Sequence, residues 1–200
     1  MAGKAARDME YPLESAKEHS VEEYKIEIGE GQLREWLQAF RDKPGEVVMV
    51  ILRPGGKVLL ITKDFYPPGA YRMPTGGMHH RETPEEALVR EAKEETGFRV
   101  NIERNLGTIH WVFRSGDRGI EYYSHVFLIS EIADEPIAED EHERITGFRE
   151  VDIRELGSIA EELRNLTGRW HDWGVFRAIP HEVVYRELCK SDEATDADRS

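Results

Sequence analysis

The chain has 200 residues, with a hydrophobic share of 39% and a charged share of 34%. These values are typical of a soluble globular protein, and the length suits one domain with a substantial core. The formal charge is −13, from 40 acidic and 27 basic residues, which argues against a protein that grips a nucleic-acid backbone through lysine and arginine. An acidic protein can still bind a small phosphorylated molecule if a cation lies between the two negative partners.

The sequence indicates neither a membrane anchor nor a disulfide framework. The longest apolar run, 47–52, is too short to cross a bilayer, and the N-terminus lacks the apolar segment of a secretion signal. Cys189 is the single cysteine, which excludes an internal disulfide and a cysteine-based zinc site. We therefore expect a cytoplasmic protein with no membrane and no nucleic-acid partner.

The N-terminal half begins with little periodicity and then shows one helical pattern followed by two β-rich runs. The β-rich runs flank a turn that contains proline and glycine, so they predict a hairpin, and a loop should follow it. The predicted segments, in chain order, are a flexible arm over 1–20, a helix over 31–42, hairpin strands over 46–52 and 57–62, and a loop over 67–77.

The next helix is the most clearly marked element of the chain. Thr83 is a good N-cap, Pro84 stands at the first helical position, and Glu86 completes a capping box. Gly97 is typical of a residue that ends a helix. A helix is therefore predicted over 84–96.

The C-terminal half alternates between strand and helix patterns. Its predicted segments are strands over 99–113, 120–130 and 148–153, an acidic loop over 133–143, and helices over 155–166 and 175–189. The mixture predicts a single α/β layered domain over 21–188. The polar residues 189–200 are predicted to form a disordered acidic tail.

Three glutamates of the marked helix share one face. Glu91, Glu94 and Glu95 are spaced i, i+3, i+4 and therefore fall within an arc of roughly 100°. Like charges in such a patch repel one another, and a bound Mg²⁺ or Mn²⁺ would offset this repulsion because carboxylate oxygens suit a hard cation. Glu82 lies just before the helix and can fold back toward its start. The alternative for an isolated acidic run is a solvated helix face.

The acidic run is part of a longer pattern that starts at Gly76. The segment resembles the Nudix box, G-x5-E-x7-R-E-U-x-E-E-x-G-U, where U is a bulky aliphatic or apolar residue. Thr75 stands where many members have the first glycine of a pair, and the pair here is Gly76-Gly77. The matching residues are Gly76, Glu82, Arg90, Glu91, Glu94, Glu95, Gly97 and Phe98, with Ala92 at the first U position.

The resemblance implies a Nudix-type α/β/α sandwich with a mixed β-sheet and a Mg²⁺- or Mn²⁺-dependent hydrolase that cleaves a diphosphate bond with metal-activated water. It implies metal ligation by the backbone carbonyl of Gly76 and by three box carboxylates, with Arg90 as a brace. The implied metal ligands are Gly76, Glu91, Glu94 and Glu95, the implied catalytic residues are Glu91, Glu94 and Arg90, and the supporting residues are Glu82 and Gly97. Glu91 is the first choice as general base, Glu94 the second, and a glutamate of the acidic loop (Glu139, Glu141 or Glu143) the third.

The box implies a reaction type but no single substrate. The implied substrates are a nucleoside diphosphate linked to another moiety and a nucleoside triphosphate. ADP-ribose-type members carry a proline soon after the box, whereas no proline occurs between Gly97 and Pro136 here. Contacts to the substrate are predicted for two arginines and two aromatic residues, the aromatic ones having core packing as their alternative. These residues are Arg72, Arg114, Trp111 and Tyr123.

Two other functions remain open at this point. A Nudix-like sensor or regulator would bind a nucleotide without turnover, although such proteins typically lose box carboxylates that this chain keeps. An isopentenyl-diphosphate isomerase uses a cysteine in its core, whereas Cys189 lies close to the C-terminus. A homodimer is compatible with either function and with the leading hypothesis.

Overall fold

The computed structural model describes residues 20–131 and 144–197. In this part of the chain, strands precede and follow the marked helix, and three further helices complete the fold. The strands are β1 (Val21–Glu27), β2 (Glu46–Arg53), β3 (Lys57–Lys63), β4 (Thr75–Gly77), β5 (Val100–Ser115), β6 (Arg118–Glu131) and β7 (Ile145–Asp152). The helices are α1 (Glu30–Ala39), α2 (Pro84–Thr96), α3 (Leu156–Arg164) and α4 (His171–Ala197).

The strands form one mixed sheet in the order β1-β5-β6-β2-β3-β7, and β4 pairs with the first residues of β2. The pairs β1–β5 and β2–β6 are parallel, whereas β5–β6, β2–β3, β2–β4 and β3–β7 are antiparallel. Strand β2 lies at the centre, which explains why 47–52 is apolar without alternation: both of its faces are covered.

Helices cover the sheet on both faces. Val47, Met49 and Ile51 of β2 pack with α2 in one apolar cluster. The alternate residues Val48 and Val50 pack in the other cluster with α1, α3 and α4. Five large aromatic side chains fill this second cluster, namely Trp36, Trp111, Phe113, Tyr122 and Phe176. The α/β/α sandwich with a mixed sheet is therefore confirmed.

The marked helix begins and ends where the sequence predicts. The Thr83 side chain accepts the backbone N–H of Glu86, and the Glu86 side chain accepts the backbone N–H of Thr83. Gly97 ends α2 with a φ of 72°, a left-handed conformation that glycine adopts without steric cost.

The predicted hairpin forms, but it is paired only beside its turn. Strand β2 pairs with β3 at Leu52↔Val58 and Arg53↔Lys57. At its other end β2 pairs with β4, a short strand within the segment that the sequence predicts as a loop. The prediction of a loop over 67–77 is therefore wrong for 75–77. A three-residue strand that contains two glycines has no periodicity, and only its pairing with β2 defines it.

Strand β1 has no counterpart in the sequence prediction. Its apolar residues are Val21, Tyr24 and Ile26, too few for a clear alternation. The strand exists because it pairs in parallel with β5, from Val21↔Thr108 to Glu27↔Arg114. Residues 1–19 of the predicted arm lie outside the described residues.

The C-terminal helix is longer than predicted. It extends from His171 to Ala197, whereas the sequence predicts a helix over 175–189. Extending an existing helix adds one hydrogen bond for each residue ordered, without the cost of a new nucleus. The acidic loop at 133–143 and residues 198–200 lie outside the described residues. Of the described helices, none is long and apolar enough to cross a membrane.

Candidate active site

Gly76 and Glu91 are in direct contact at the centre of the box. Pairing with Val47 holds Gly76 on the sheet, and α2 packs on the face toward which a side chain at Gly76 would point. A Cβ atom added to Gly76 would lie 1.9 Å from Glu91 Cγ and 2.3 Å from Glu91 Oε2. The carboxylate of Glu91 therefore occupies the space of a missing side chain, beside the backbone of Gly76.

Arg90 joins the box loop to the helix. Its guanidinium donates two hydrogen bonds to the Glu82 carboxylate, both at 2.9 Å, and one to the backbone carbonyl of Gly77 at 2.9 Å. Its Nη1 donates to Glu91 at 2.7 Å and to Glu94 at 3.0 Å. The hydrogen bond from Arg90 lowers the pKa of Glu82 below its ordinary value, so Glu82 remains ionised.

Glu95 is the most deeply buried of the box carboxylates. Its side chain is fully buried, and Lys63 Nζ at the end of β3 lies 3.0 Å from Glu95 Oε1. Glu91 is 7% exposed, whereas the Glu94 side chain is 40% exposed. The helix thus presents its carboxylates in a series from the protein interior to solvent, because positions 91, 94 and 95 differ in how far they face the sheet.

The donor set has the chemistry that a hard divalent cation requires. Glu91 and Glu94 each have an oxygen within 3.0 Å of the same Arg90 nitrogen, and Glu91 contacts Gly76. Within 20–131 and 144–197, no three acidic, histidine or cysteine side chains converge closely enough to hold a metal ion. The residues therefore fit Mg²⁺ in the chemistry of their oxygen donors, and ligation by several of them requires the carboxylates to turn from Arg90 and converge on the ion.

A buried polar network lies on the opposite face of the sheet. Glu46, the first residue of β2, accepts hydrogen bonds from Arg177 of α4 at 2.8 and 3.0 Å and from the Ser124 hydroxyl at 2.8 Å. Ser124 in turn accepts the indole N–H of Trp111 at 2.8 Å. Burial raises the pKa of the neighbouring Tyr122 well above its ordinary value, and Glu46 adds to the effect, as Glu91 also does. The network and the box therefore approach each other around Tyr122.

Trp111 and Arg72, two of the predicted substrate contacts, are buried and surrounded by other residues of the chain. Trp111 is fully buried among Tyr24, Phe113 and Phe176, so its ring packs the core and leaves no face for a substrate base. Arg72 is 3% exposed and donates to Tyr66 Oη and to the Met73 carbonyl, both at 2.7 Å. It supports the loop that leads into β4 and is not an exposed phosphate ligand.

The other two predicted contacts lie away from the box carboxylates. Arg114 is exposed and pairs with Gly119, five residues along β6 from Ser124, which corresponds to roughly 16 Å. The structure does not bring Arg114 to the box. Tyr123 lies on the α2 side of the sheet and stacks on His110, with a centroid distance of 4.7 Å and an interplanar angle of 6°.

Four charged residues of this region have no signal in the sequence analysis. Glu46 stands at the start of an apolar strand pattern, and Arg177 lies in a helical pattern defined by its aromatic residues, so neither position indicates a functional residue. The lysines of this set come from the turn after α1 and from the end of β3. Contacts between distant segments place Lys63 beside Glu95 and Lys43 beside Gly77, and they join Glu46 to Arg177 on the opposite face of the sheet.

Comparison with known proteins agrees with this geometry. A family model described as the NUDIX domain matches residues 42–173, which include the whole box and most of the sheet. The chain belongs to the Nudix family. Nudix hydrolases generally use divalent metal ions, consistent with the oxygen-rich donor set around Gly76.

Two relatives of this Nudix chain carry the names of hydrolases. The ADP-ribose pyrophosphatase of Methanocaldococcus jannaschii is 32% identical over 133 residues, 65% of this chain and 75% of the archaeal protein. The human diphosphoinositol polyphosphate phosphohydrolase 2 is 35% identical over 79 residues, 40% of this chain and 41% of its own length. The chain thus spans less than half of the human relative.

A solved structure shares the Nudix fold. A UDP-X diphosphatase superposes with a TM-score of 0.50 at 19% identity, covering 82% of this chain and 73% of that protein. At this identity the likeness concerns the fold alone. The family match and the relatives together make this chain a Nudix pyrophosphohydrolase, an enzyme that hydrolyses diphosphate bonds.

Proposed function

We propose that this enzyme is a Mg²⁺- or Mn²⁺-dependent hydrolase of a nucleoside diphosphate linked to another moiety. The observation that carries the proposal is the contact between Gly76 and Glu91, in which the missing side chain of Gly76 leaves room for a carboxylate beside a backbone strand. This arrangement suits a carboxylate and a backbone carbonyl that share one cation. A nucleoside triphosphate is the second substrate class compatible with the box.

The proposed ligands are Glu91, Glu94, Glu95 and the carbonyl of Gly76. A bound divalent ion would neutralise the diphosphate and lower the pKa of a coordinated water. Glu91 is the proposed general base, because it is the carboxylate nearest to the Gly76 backbone, and Glu94 is the second choice. The acidic-loop candidates Glu139, Glu141 and Glu143 lie outside the described residues.

Arg90 and Lys63 have positioning roles in this proposal. Arg90 holds Glu82 and two helix carboxylates in one network, so it orients the proposed ligands without contacting the reacting atoms. Lys63 places a positive charge 3.0 Å from the buried Glu95 carboxylate and so offsets part of the cost of burying that charge. Tyr123 remains a proposed stacking surface, with one ring face already covered by His110.

ADP-ribose is the first substrate to test because the archaeal relative is described as an ADP-ribose pyrophosphatase and matches over most of its length. The experiment is incubation of the full chain with Mg²⁺ and a panel of nucleotide sugars, dinucleoside polyphosphates, cofactors and nucleoside triphosphates. Products are identified by mass. Cleavage within a diphosphate linkage supports the proposal, whereas binding of a nucleotide without turnover of any compound favours the sensor.

Glutamine substitutions test the assigned carboxylates. Glu91→Gln and Glu95→Gln should each lower kcat by at least about a hundredfold, since a removed base or metal ligand costs that order of rate. Glu85→Gln is the matched control, because Glu85 is an exposed glutamate in the first turn of the same helix. Circular dichroism checks that each variant is folded. Undiminished hydrolysis by folded Glu95→Gln would remove Glu95 from the ligand set.

A further inference from the structure

The backbone conformation of Gly77 does not require glycine, but the space beside it does. Its φ lies outside the left-handed region that favours glycine. A Cβ atom added there would lie 2.7 Å from Lys43 Cδ and 2.9 Å from Lys43 Nζ. The side chain of Lys43, from the turn after α1, therefore crosses the strand where Gly77 leaves space.

The two glycines of β4 open the strand on opposite faces. Successive side chains of a strand point to opposite faces, so the space at Gly76 holds Glu91 on one face and the space at Gly77 holds Lys43 on the other. Glu46 is the register partner of Gly77 and accepts Arg177 on that second face. An ammonium and a proposed metal ligand thus lie at adjacent residues of one strand.

The carboxylates around Lys43 are engaged by other groups. Glu46 binds Arg177 and Ser124, and Glu91 binds Arg90. Among residues 20–131 and 144–197, no carboxylate oxygen lies within 4.0 Å of the Lys43 ammonium. Lys43 is also exposed, so its charge is accessible to an anion from solvent. In a chain of net charge −13, the Lys43 ammonium would attract a negatively charged substrate that most of the surface repels.

We propose that Lys43 is a substrate-binding residue that contacts the phosphate of the diphosphate lying farther from the box carboxylates, and that Gly77 is required to let it reach that position. The inference rests on the proposed function, since it places a diphosphate across the end of β4. An ammonium donates strong, charge-assisted hydrogen bonds to phosphate oxygens and acts there as a point charge. Its contribution is to binding, whereas the box carboxylates act on the water.

The test compares Lys43→Met, Lys43→Arg and Gly77→Ala with wild-type enzyme on the panel substrate that is cleaved fastest. Lys43→Met should raise KM by about tenfold and change kcat by less than about threefold, and Lys43→Arg should retain most of the binding. Gly77→Ala should raise KM similarly, because the added methyl displaces only the end of a flexible side chain. Lys57→Met is the matched control, since Lys57 lies at the hairpin turn, at the opposite end of β2.

The double variant Lys43→Met/Gly77→Ala distinguishes the two parts of the inference. If Gly77 acts only by admitting Lys43, the double variant should have the KM of Lys43→Met alone. An unchanged KM in Lys43→Met overturns the inference, and additive effects overturn the role assigned to Gly77. If wild-type enzyme cleaves no panel compound, the proposed function fails. Calorimetric binding of α,β-methylene-ADP with Mg²⁺ then tests Lys43 alone, and equal Kd values for wild type and Lys43→Met overturn its role.

Discussion

Gly76→Ala tests whether the space left by this glycine is what places Glu91. The added methyl would lie 1.9 Å from Glu91 Cγ and 2.0 Å from Glu91 Cδ. Carbon atoms in contact are normally about 3.5–4.0 Å apart, so the carboxylate or the strand must move by roughly 1.5–2 Å. A displacement of about 1 Å at a catalytic group can cost a hundredfold in rate.

We therefore expect Gly76→Ala to lower kcat/KM by at least about a hundredfold. Overpacking should also lower the free energy of unfolding by about 1–3 kcal/mol. The assays are steady-state hydrolysis over a range of Mg²⁺ concentrations and urea unfolding followed by circular dichroism. Gly157→Ala is the matched control, because a Cβ at Gly157 has no heavy atom within 4 Å and its φ is ordinary.

A second variant shows whether Glu91 is the group displaced. Glu91→Ala removes the atoms that the new methyl meets, so Gly76→Ala should cost much less stability in the Glu91→Ala background than in wild type. Equal stability costs in the two backgrounds would contradict the assigned contact. Full activity of Gly76→Ala would refute the reasoning at its base, since a carboxylate moved this far could not share a cation with the strand.

Two further predictions concern the network on the opposite face. Arg177→Met leaves the buried carboxylate of Glu46, 3% exposed, without its cation and should lower the free energy of unfolding by about 3–5 kcal/mol. Adding Glu46→Gln to the same chain removes the unpaired charge and should recover most of this loss. Urea unfolding of the single and double variants measures both effects, and no recovery in the double variant would contradict the pairing. Burial lowers the pKa of His181 from the ordinary 6.5 to about 4, so its stabilising effect is present above pH 6.5 and is lost as the pH falls toward 4. Between pH 7.5 and 5 the wild-type protein should lose about 2 kcal/mol of unfolding free energy through this histidine. The urea midpoint of His181→Asn should therefore fall less than that of wild type over the same pH range. An identical fall in both proteins would contradict the lowered pKa assigned to His181.

Local signals predicted the helix that carries the candidate site, and the reasons lie in single residues. Thr83 and Glu86 cap each other within one turn, and Gly97 ends the helix through a conformation that is intrinsic to glycine. These effects act over a few residues and are therefore legible in the sequence. The i, i+3, i+4 spacing of the glutamates also needs only helix geometry, and the match to the Nudix box added the expected fold.

Contacts between distant segments escaped prediction. Strand β1 and strand β4 exist because partners are available, Val21 with Thr108 and Gly76 with Val47. Trp111 was predicted from its residue type to meet a substrate, yet packing among other rings buries it. Residue type states what a side chain can do, whereas the neighbours supplied by the rest of the chain decide whether it remains accessible.

The amino-acid order alone determined the box helix, its boundaries and the cluster of acids on one of its faces, because hydrogen bonds and spacing within a helix are local. Only the tertiary structure decided which groups surround that cluster: Gly76 beside Glu91, Lys63 beside Glu95, and Lys43 across Gly77. These pairs join segments separated by many residues. Their formation depends on burial of the apolar strand β2 between two helical layers, a property of the folded chain as a whole.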